Sequence, residues 1–253
     1  MISNLIEKKD FGICRSFLIS NLASPADFVS KYVELRKHTL QHHFLLLLEE
    51  GQAGYTSSHA IEAYALDDIW EEDLLKLPSE RIENNEHITG YLETPEEFFI
   101  RKRNYRLRIQ EEALSIEGLL KERDMALTDD FLEVNKNPFR FLPNPTRLLK
   151  VPVAHPYESL FAFPNGYFDD DLSPVENFVL AKYLYEEFDL NLVGLSDTYL
   201  CFLKTRTLNH SEKTSLVNTL KQLYSENHLQ DIELLVDDLL KQELLMLPYA
   251  LLH

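Results

Sequence analysis

The stretch LNLVGLSDTYLCFLK at residues 190–204 decides the fold class of this chain. Two apolar runs of strand length lie on either side of Ser196-Asp197. Paired runs around a short polar turn predict a β-hairpin, although the turn lacks the glycine that is typical of two-residue turns. We therefore expect a sheet that contains at least one antiparallel pair of strands.

Four further segments have the apolar character of buried strands. They lie at residues 13–19, 44–48, 148–153 and 244–247. Because these segments alternate with helical patterns along the chain, the sequence predicts a mixed fold rather than an all-β one.

Three helices are predicted from one local pattern, a hydroxyl N-cap followed by proline and, two residues later, by an acid. The caps are Ser24, Thr94 and Ser173. After Thr94 the apolar residues keep helical spacing as far as Leu120, which predicts one long amphipathic helix. Leucines three and four residues apart predict two more helices, near residues 211–224 and 231–241. The expected class is α+β, with mixed or antiparallel sheets packed against amphipathic helices.

The clearest break in the chain is NPFRFLPNP at residues 137–145. Its prolines remove backbone donors and favour extended conformations in their neighbours, which indicates a connector. We therefore predict a proline-rich connector at 137–147 between an N-terminal α+β region, 1–136, and a C-terminal α+β domain, 148–253.

Acidic residues outnumber basic residues by 42 to 25, which gives a formal net charge of −17 at pH 7. A surface with this charge repels a phosphate backbone, so nucleic acid is not an expected ligand. The chain has only seven glycines, which disfavours glycine-rich loops that cradle phosphates. The excess charge either keeps the surface solvated or attracts a basic protein partner.

The densest acidic region surrounds the single tryptophan of the chain, Trp70. Its carboxylates belong to Asp67, Asp68, Glu71, Glu72 and Asp73. A solvated helix surface explains such a run, and a docking face for a basic partner is the functional alternative. Because no motif commits the chain to a reaction, the leading hypothesis is a non-enzymatic, immunity-like or regulatory module that binds a protein and needs no cofactor. A homo-oligomer is an alternative that the sequence does not separate from it.

A rival hypothesis is a metal-assisted hydrolase. Its candidate ligands flank an irregular segment and are His155, Glu158, Asp169, Asp170 and Asp171. Carboxylate oxygens bind Mg²⁺ and Ca²⁺, and a bound divalent ion can activate water. The three aspartates also lie just before the Ser173 cap, where negative charge favours the start of a helix.

Two other clusters have both a functional and a structural interpretation. His38 and His42 stand four residues apart with His43 beside them, a spacing that suits zinc or, equally, the carbonyls that end a helix. The one basic cluster, interleaved with Tyr105, suits a phosphate contact or ion pairs within the chain. It consists of Arg101, Lys102, Arg103, Arg106 and Arg108.

The last hundred residues, from about 149, resemble the bacterial family catalogued as domain of unknown function 4253. The resemblance is carried by VPV at 151–153, PYE at 156–158, FAFPNG at 161–166, Pro174 and VGLSDT at 193–198. The chain departs from the family in lacking a cysteine-proline run at 169–174 and a tryptophan-rich final strand. The resemblance implies a bacterial protein with a mixed fold, and it implies no mechanism because the family has no established activity.

Three further observations concern the compartment. Charged residues at positions 7–10 interrupt the apolar stretch that a signal peptide needs, and no apolar run is long enough to cross a membrane. The two cysteines, Cys14 and Cys201, are too few for a disulfide framework. We therefore expect a cytoplasmic protein without a membrane partner.

Overall fold

Strands and helices alternate along the chain, and together they form an α+β fold. The computed structural model describes residues 5–22, 24–125, 127, 131–139, 142–224, 232–237 and 243–250. The strands are β1 (Leu5–Phe11), β2 (Cys14–Ile19), β3 (His43–Leu47), β4 (Ile82–Glu83), β5 (Glu86–His87), β6 (Thr146–Val151), β7 (Leu190–Leu195), β8 (Tyr199–Lys204) and β9 (Leu244–Pro248). The predicted α+β class is confirmed.

Seven of these strands form one mixed sheet in the order β1-β2-β6-β3-β7-β8-β9, and β4 and β5 form a separate small hairpin. β3 and β7 run parallel, whereas the other neighbouring pairs of the large sheet are antiparallel. β3 precedes the predicted connector at 137–147 and lies between β6, which begins within the last two residues of that connector, and β7, which follows it. Both sides of the connector therefore contribute strands to the same sheet.

The helices are α1 (Pro25–His38), α2 (Gly51–Ala63), α3 (Glu71–Leu74), α4 (Phe98–Glu112), α5 (Ile116–Glu122), α6 (Phe131–Lys136), α7 (Pro174–Phe188) and α8 (His210–Leu223). Residues 232–237 are also helical, and the rest of the predicted helix at 231–241 lies outside the described residues. Within the described residues, no helix is both long and apolar enough to cross a membrane.

The predicted caps at Ser24 and Ser173 are confirmed, because each hydroxyl accepts a hydrogen bond from the backbone N–H three residues on, at 3.2 Å.

The single long helix predicted after Thr94 is wrong. α4 ends at Glu112, Ala113 adopts a left-handed φ of 46°, and Ser115 starts α5 by accepting a hydrogen bond from the Gly118 N–H. The N-cap at Ser115 thus divides the apolar stripe into two helices, whereas the spacing of the apolar residues alone predicts one.

The predicted hairpin is formed by β7 and β8. Its turn holds its shape through Ser196, whose hydroxyl accepts hydrogen bonds from the N–H groups of Thr198 and Tyr199 at 3.1 and 2.8 Å. The Ser196 N–H donates in turn to the Tyr199 carbonyl at 2.9 Å. A serine side chain therefore replaces the glycine that a tighter turn requires.

The core is centred on β3, in which all five residues are buried. Strands that are buried along their whole length have both faces of the sheet covered. The rings of Phe28 and Tyr32 from α1 pack near Phe44 of β3, and a 3₁₀ helix at Pro156–Phe161 packs beside α7 and β7. The covered centre of the sheet holds the loops at the ends of β3 and β7 in fixed positions.

Candidate functional site

The acidic region around Trp70 is anchored from within the chain. The Asp67 carboxylate accepts two hydrogen bonds from the Arg101 guanidinium, at 2.6 and 2.7 Å. The side chain of Asp73 is fully buried, forms an ion pair with Arg103 and accepts a hydrogen bond from the Trp70 N–H at 2.8 Å. Arginines of α4 therefore pair with both carboxylates, and the side chain of Asp73 is closed off from solvent.

Trp70 is held by Arg103, the arginine that also pairs with Asp73. The Arg103 guanidinium lies 3.8 Å from the centre of the Trp70 ring, a cation–π arrangement, and it also donates to the Asp68 carbonyl at 3.0 Å. This contact fixes the indole although 44% of the residue is exposed. The tryptophan is thus presented to solvent in a defined orientation.

The remaining acids of this region point outward. Asp68, Glu71 and Glu72 are exposed, and Leu75, directly after α3, is 88% exposed. We call Asp68, Trp70, Glu71, Glu72 and Leu75 the α3 face. Three exposed acidic residues and two exposed apolar residues thus lie within eight consecutive residues, 68–75.

The sequence around the α3 face is strongly acidic. Residues 62–97 contain twelve acids and two bases, so this segment carries 2 − 12 = −10 formal charges. Two arginines of the basic cluster on α4, Arg101 and Arg103, pair with acids of this segment. The other two arginines have different partners within the chain: Arg106 pairs with Glu158 at 2.6 Å, and Arg108 donates to the Tyr64 carbonyl at 2.9 Å. This arrangement fits the interpretation of the basic cluster as an internal partner of the acids.

A buried carboxylate, Glu97, ties the β4–β5 hairpin to the start of α4. It accepts hydrogen bonds from the Arg81 and His87 side chains at 2.6 and 2.7 Å and from the N–H groups of Glu93 and Thr94. Burial alone would raise its pKa, but these hydrogen bonds outweigh burial and lower the pKa to about 2. The capping pattern at Thr94 predicted an acid near the start of the helix, Glu97. The contacts of Glu97 with the side chains of Arg81 and His87 were not predicted.

The residues of the proposed hydrolase do not come together as a metal site. One carboxylate oxygen of Glu158 accepts hydrogen bonds from the N–H groups of Ala154 and His155, and the other accepts one from the Arg106 side chain. Although burial opposes the effect, these contacts lower the pKa of Glu158.

The aspartates of the same proposal have other positions. Asp169 and Asp170 are exposed, whereas Asp171 is buried and accepts a hydrogen bond from the Phe168 N–H at 3.2 Å. In the part of the chain that the structure describes, no three His, Cys, Asp or Glu side chains are grouped closely enough to hold a metal ion.

The three neighbouring histidines are separated by the end of a helix. His38 is the exposed last residue of α1, whereas His43 begins β3 and is buried. Burial, together with the charge of Arg36, lowers the pKa of His43 to about 4. Its Nε2 lies 3.1 Å from the Ala154 carbonyl, so the neutral ring donates a hydrogen bond to that carbonyl. His43 therefore has a structural contact in the core.

Sequence reasoning missed a cavity of 270 Å³ that lies beyond the ends of β3 and β7. Its walls are formed by Leu48, Glu49, Val134, Pro138, Leu142, Ser196, Asp197, Thr198, Tyr199 and Met246. The polar pair Ser196-Asp197 was visible as a turn, but its position beside Glu49 depends on the pairing of β3 with β7, which are far apart in sequence.

No family model matches the chain, and no curated protein or solved structure matches it. The resemblance to the family of domain of unknown function 4253 therefore stays a prediction.

Proposed function

We propose that this chain is a non-enzymatic module that binds a basic protein partner through the α3 face. One observation supports the proposal most strongly: the exposed residues Glu71 and Glu72 lie in the chain between two exposed apolar residues, Trp70 and Leu75. Interfaces typically combine a few apolar or aromatic anchors with a polar rim, and tryptophan is enriched among the anchors.

The anchoring beneath the face supports the same proposal. Asp67 and Asp73 are held by Arg101 and Arg103, and Arg103 stacks on Trp70. Because these side chains are already ordered, binding loses less conformational entropy than it would with a mobile loop. The acids that pair with arginine thus position the face, and the exposed acids meet the partner.

The charge of the segment favours a basic partner over other classes. With −10 formal charges at residues 62–97 and −17 overall, long-range attraction speeds the approach of a positively charged surface and disfavours nucleic acid. A symmetric dimer through this face would bring like charges together, since the same patch meets itself at a two-fold axis. A cytoplasmic location is part of the proposal, and the two free, buried cysteines fit a reducing compartment.

The test uses a labelled amphipathic helical peptide of lysine and leucine, which has the charge and the apolar side chains that the α3 face would recognise. Its binding is followed by fluorescence anisotropy at low and high salt. We expect saturable binding that weakens about tenfold between roughly 25 and 250 mM NaCl, because the Debye length falls from roughly 20 Å to roughly 6 Å over that range and screens the attraction. The double variant Glu71→Gln/Glu72→Gln should weaken low-salt binding by about tenfold.

The matched control, Glu34→Gln/Glu187→Gln, removes the same number of exposed charges from α1 and α7. It should bind the peptide nearly as well as the wild type. Equal losses in both double variants would mean that only net charge matters, and the proposal would be wrong. Binding that salt leaves unchanged would refute the electrostatic mechanism as well.

A further inference from the structure

The cavity beyond β3 and β7 lies where the only parallel pair of the described main sheet ends. β3 continues through Leu48 and Glu49 into α2, whereas β7 turns at Ser196-Asp197 into β8. The two chains therefore part at this point, and Val134 of α6 and Pro138 and Leu142 of the connector close the space from the side. Ligands of sheets with parallel strands bind in such crevices outside the carboxyl ends of the strands.

The cavity is lined by both apolar and acidic residues. Leu48, Val134, Leu142 and Met246 supply apolar surface. The Glu49 side chain is held in place, since its two oxygens accept hydrogen bonds from the N–H groups of Gly51 and Ala53 at 2.6 and 2.9 Å. Its carboxyl group therefore has a defined position in the cavity wall that it shares with Asp197.

Asp197 is the half-buried acid of this pair. Burial raises the pKa of Asp197, and the Glu49 charge raises it further, while hydrogen bonds with Thr198 and Ser196 act in the opposite direction. Among the described residues that line the cavity there is no lysine, arginine or histidine. A positive group placed between Asp197 and Glu49 would offset the repulsion of the two acids.

We propose that this cavity binds a small organic cation, an ammonium group on a compact apolar body. The ammonium lies between Asp197 and Glu49, and the apolar body lies against Leu48, Val134 and Met246. The 270 Å³ volume equals about nine water molecules at ~30 Å³ each, which suits one ring or a short branched chain and excludes a nucleotide. The site is separate from the α3 face, so either proposal can fail alone.

The test compares three probes of nearly the same shape, benzylammonium, benzyl alcohol and benzoate, by isothermal titration calorimetry on the full chain. We expect benzylammonium to bind at one saturable site with a dissociation constant on the order of 1 mM, and the neutral and anionic probes to bind at least about tenfold more weakly. Equal binding of benzylammonium and benzyl alcohol would overturn the proposal, as would the absence of saturable benzylammonium binding.

Two variants separate the charge of the cavity from its shape. Asp197→Asn keeps the size of the side chain and should weaken benzylammonium binding at least about tenfold. Val134→Phe fills the apolar side, keeps both carboxylates and should abolish binding. Glu187→Gln, an exposed acid on α7, is the control and should bind like the wild type. If Asp197→Asn and Val134→Phe both unfold cooperatively and both still bind benzylammonium as the wild type does, the cation binds elsewhere and the assignment is wrong.

Discussion

Individual acids of this chain have opposite roles although they look alike in the sequence. Glu97 and Asp73 have fully buried side chains and hold loops through arginine, whereas their neighbours Glu96 and Glu72 face solvent. A buried carboxylate that loses its charge leaves its cationic partner without compensation, which destabilises a fold strongly. An exposed one has little effect on stability. Burial therefore decides which acids support the fold and which are free to bind.

Replacing Glu97 by glutamine should lower the free energy of unfolding by about 3 kcal/mol, because Arg81 loses its buried anionic partner at 2.6 Å and keeps only the exposed Glu93. The adjacent exposed acid provides the control, and Glu96→Gln should change stability by less than about 0.5 kcal/mol. Urea denaturation followed by circular dichroism measures both. Similar values for the two variants would show that the Glu97 contacts contribute little.

The same residue predicts a pH dependence. Its pKa in the folded chain, about 2, lies below the ordinary value of 4.5, so the ionised form is favoured by folding. The stabilisation is complete above pH 4.5 and is lost as the pH falls towards 2. Glu97→Gln should lack this part of the acid destabilisation. If wild type and variant lose stability in parallel between pH 4.5 and 2, another group is responsible.

At the scale of elements, α6 completes the edge of the main sheet. The Asn135 side chain accepts a hydrogen bond from the Met246 N–H at 2.8 Å and donates one to the Met246 carbonyl at 2.9 Å, as a neighbouring strand would. A covered edge does not pair with other chains. α6 therefore protects β9 and also carries Val134 to the cavity.

Asn135→Ala should lower the free energy of unfolding by about 2 to 3 kcal/mol, since it leaves a buried backbone donor and acceptor unsatisfied. Lys136→Ala, on the exposed side of the same helix, controls for helix propensity and should be nearly neutral. Thermal unfolding monitored by circular dichroism distinguishes the two. Equal melting temperatures for both variants would mean that the Asn135 amide does not secure β9.

The elements that the sequence predicts well are those with local causes. The caps at Ser24 and Ser173 and the hairpin around Ser196 involve residues within a few positions of each other. The pairing of β3 with β6 and β7, and of Asp67 with Arg101, joins residues that are far apart in the chain. Periodicity carries no information about such contacts, so the cavity and the internal neutralisation of Asp67 and Asp73 appear only in the structure.

At the scale of the whole molecule, strands from before the proline-rich connector and strands from its end and beyond are mixed in one sheet. β3 lies between β6 and β7. A fragment of residues 148–253 would lack β3 entirely and would lack the first two residues of β6. Its β7 would present an unpaired apolar edge. We expect this fragment to lack cooperative thermal unfolding. A sharp transition in calorimetry would show instead that the C-terminal part folds by itself.

The most direct test of the central claim uses Trp70, the only tryptophan of the chain, as a reporter of the α3 face. Tryptophan emission is recorded while the unlabelled, tryptophan-free lysine–leucine peptide is added at low salt. We predict a saturable blue shift, because bound leucine side chains remove water from the indole, and we predict its loss in Glu71→Gln/Glu72→Gln and at high salt. A peptide that binds by anisotropy but leaves the Trp70 emission unchanged would contradict the proposal that the α3 face is the binding surface.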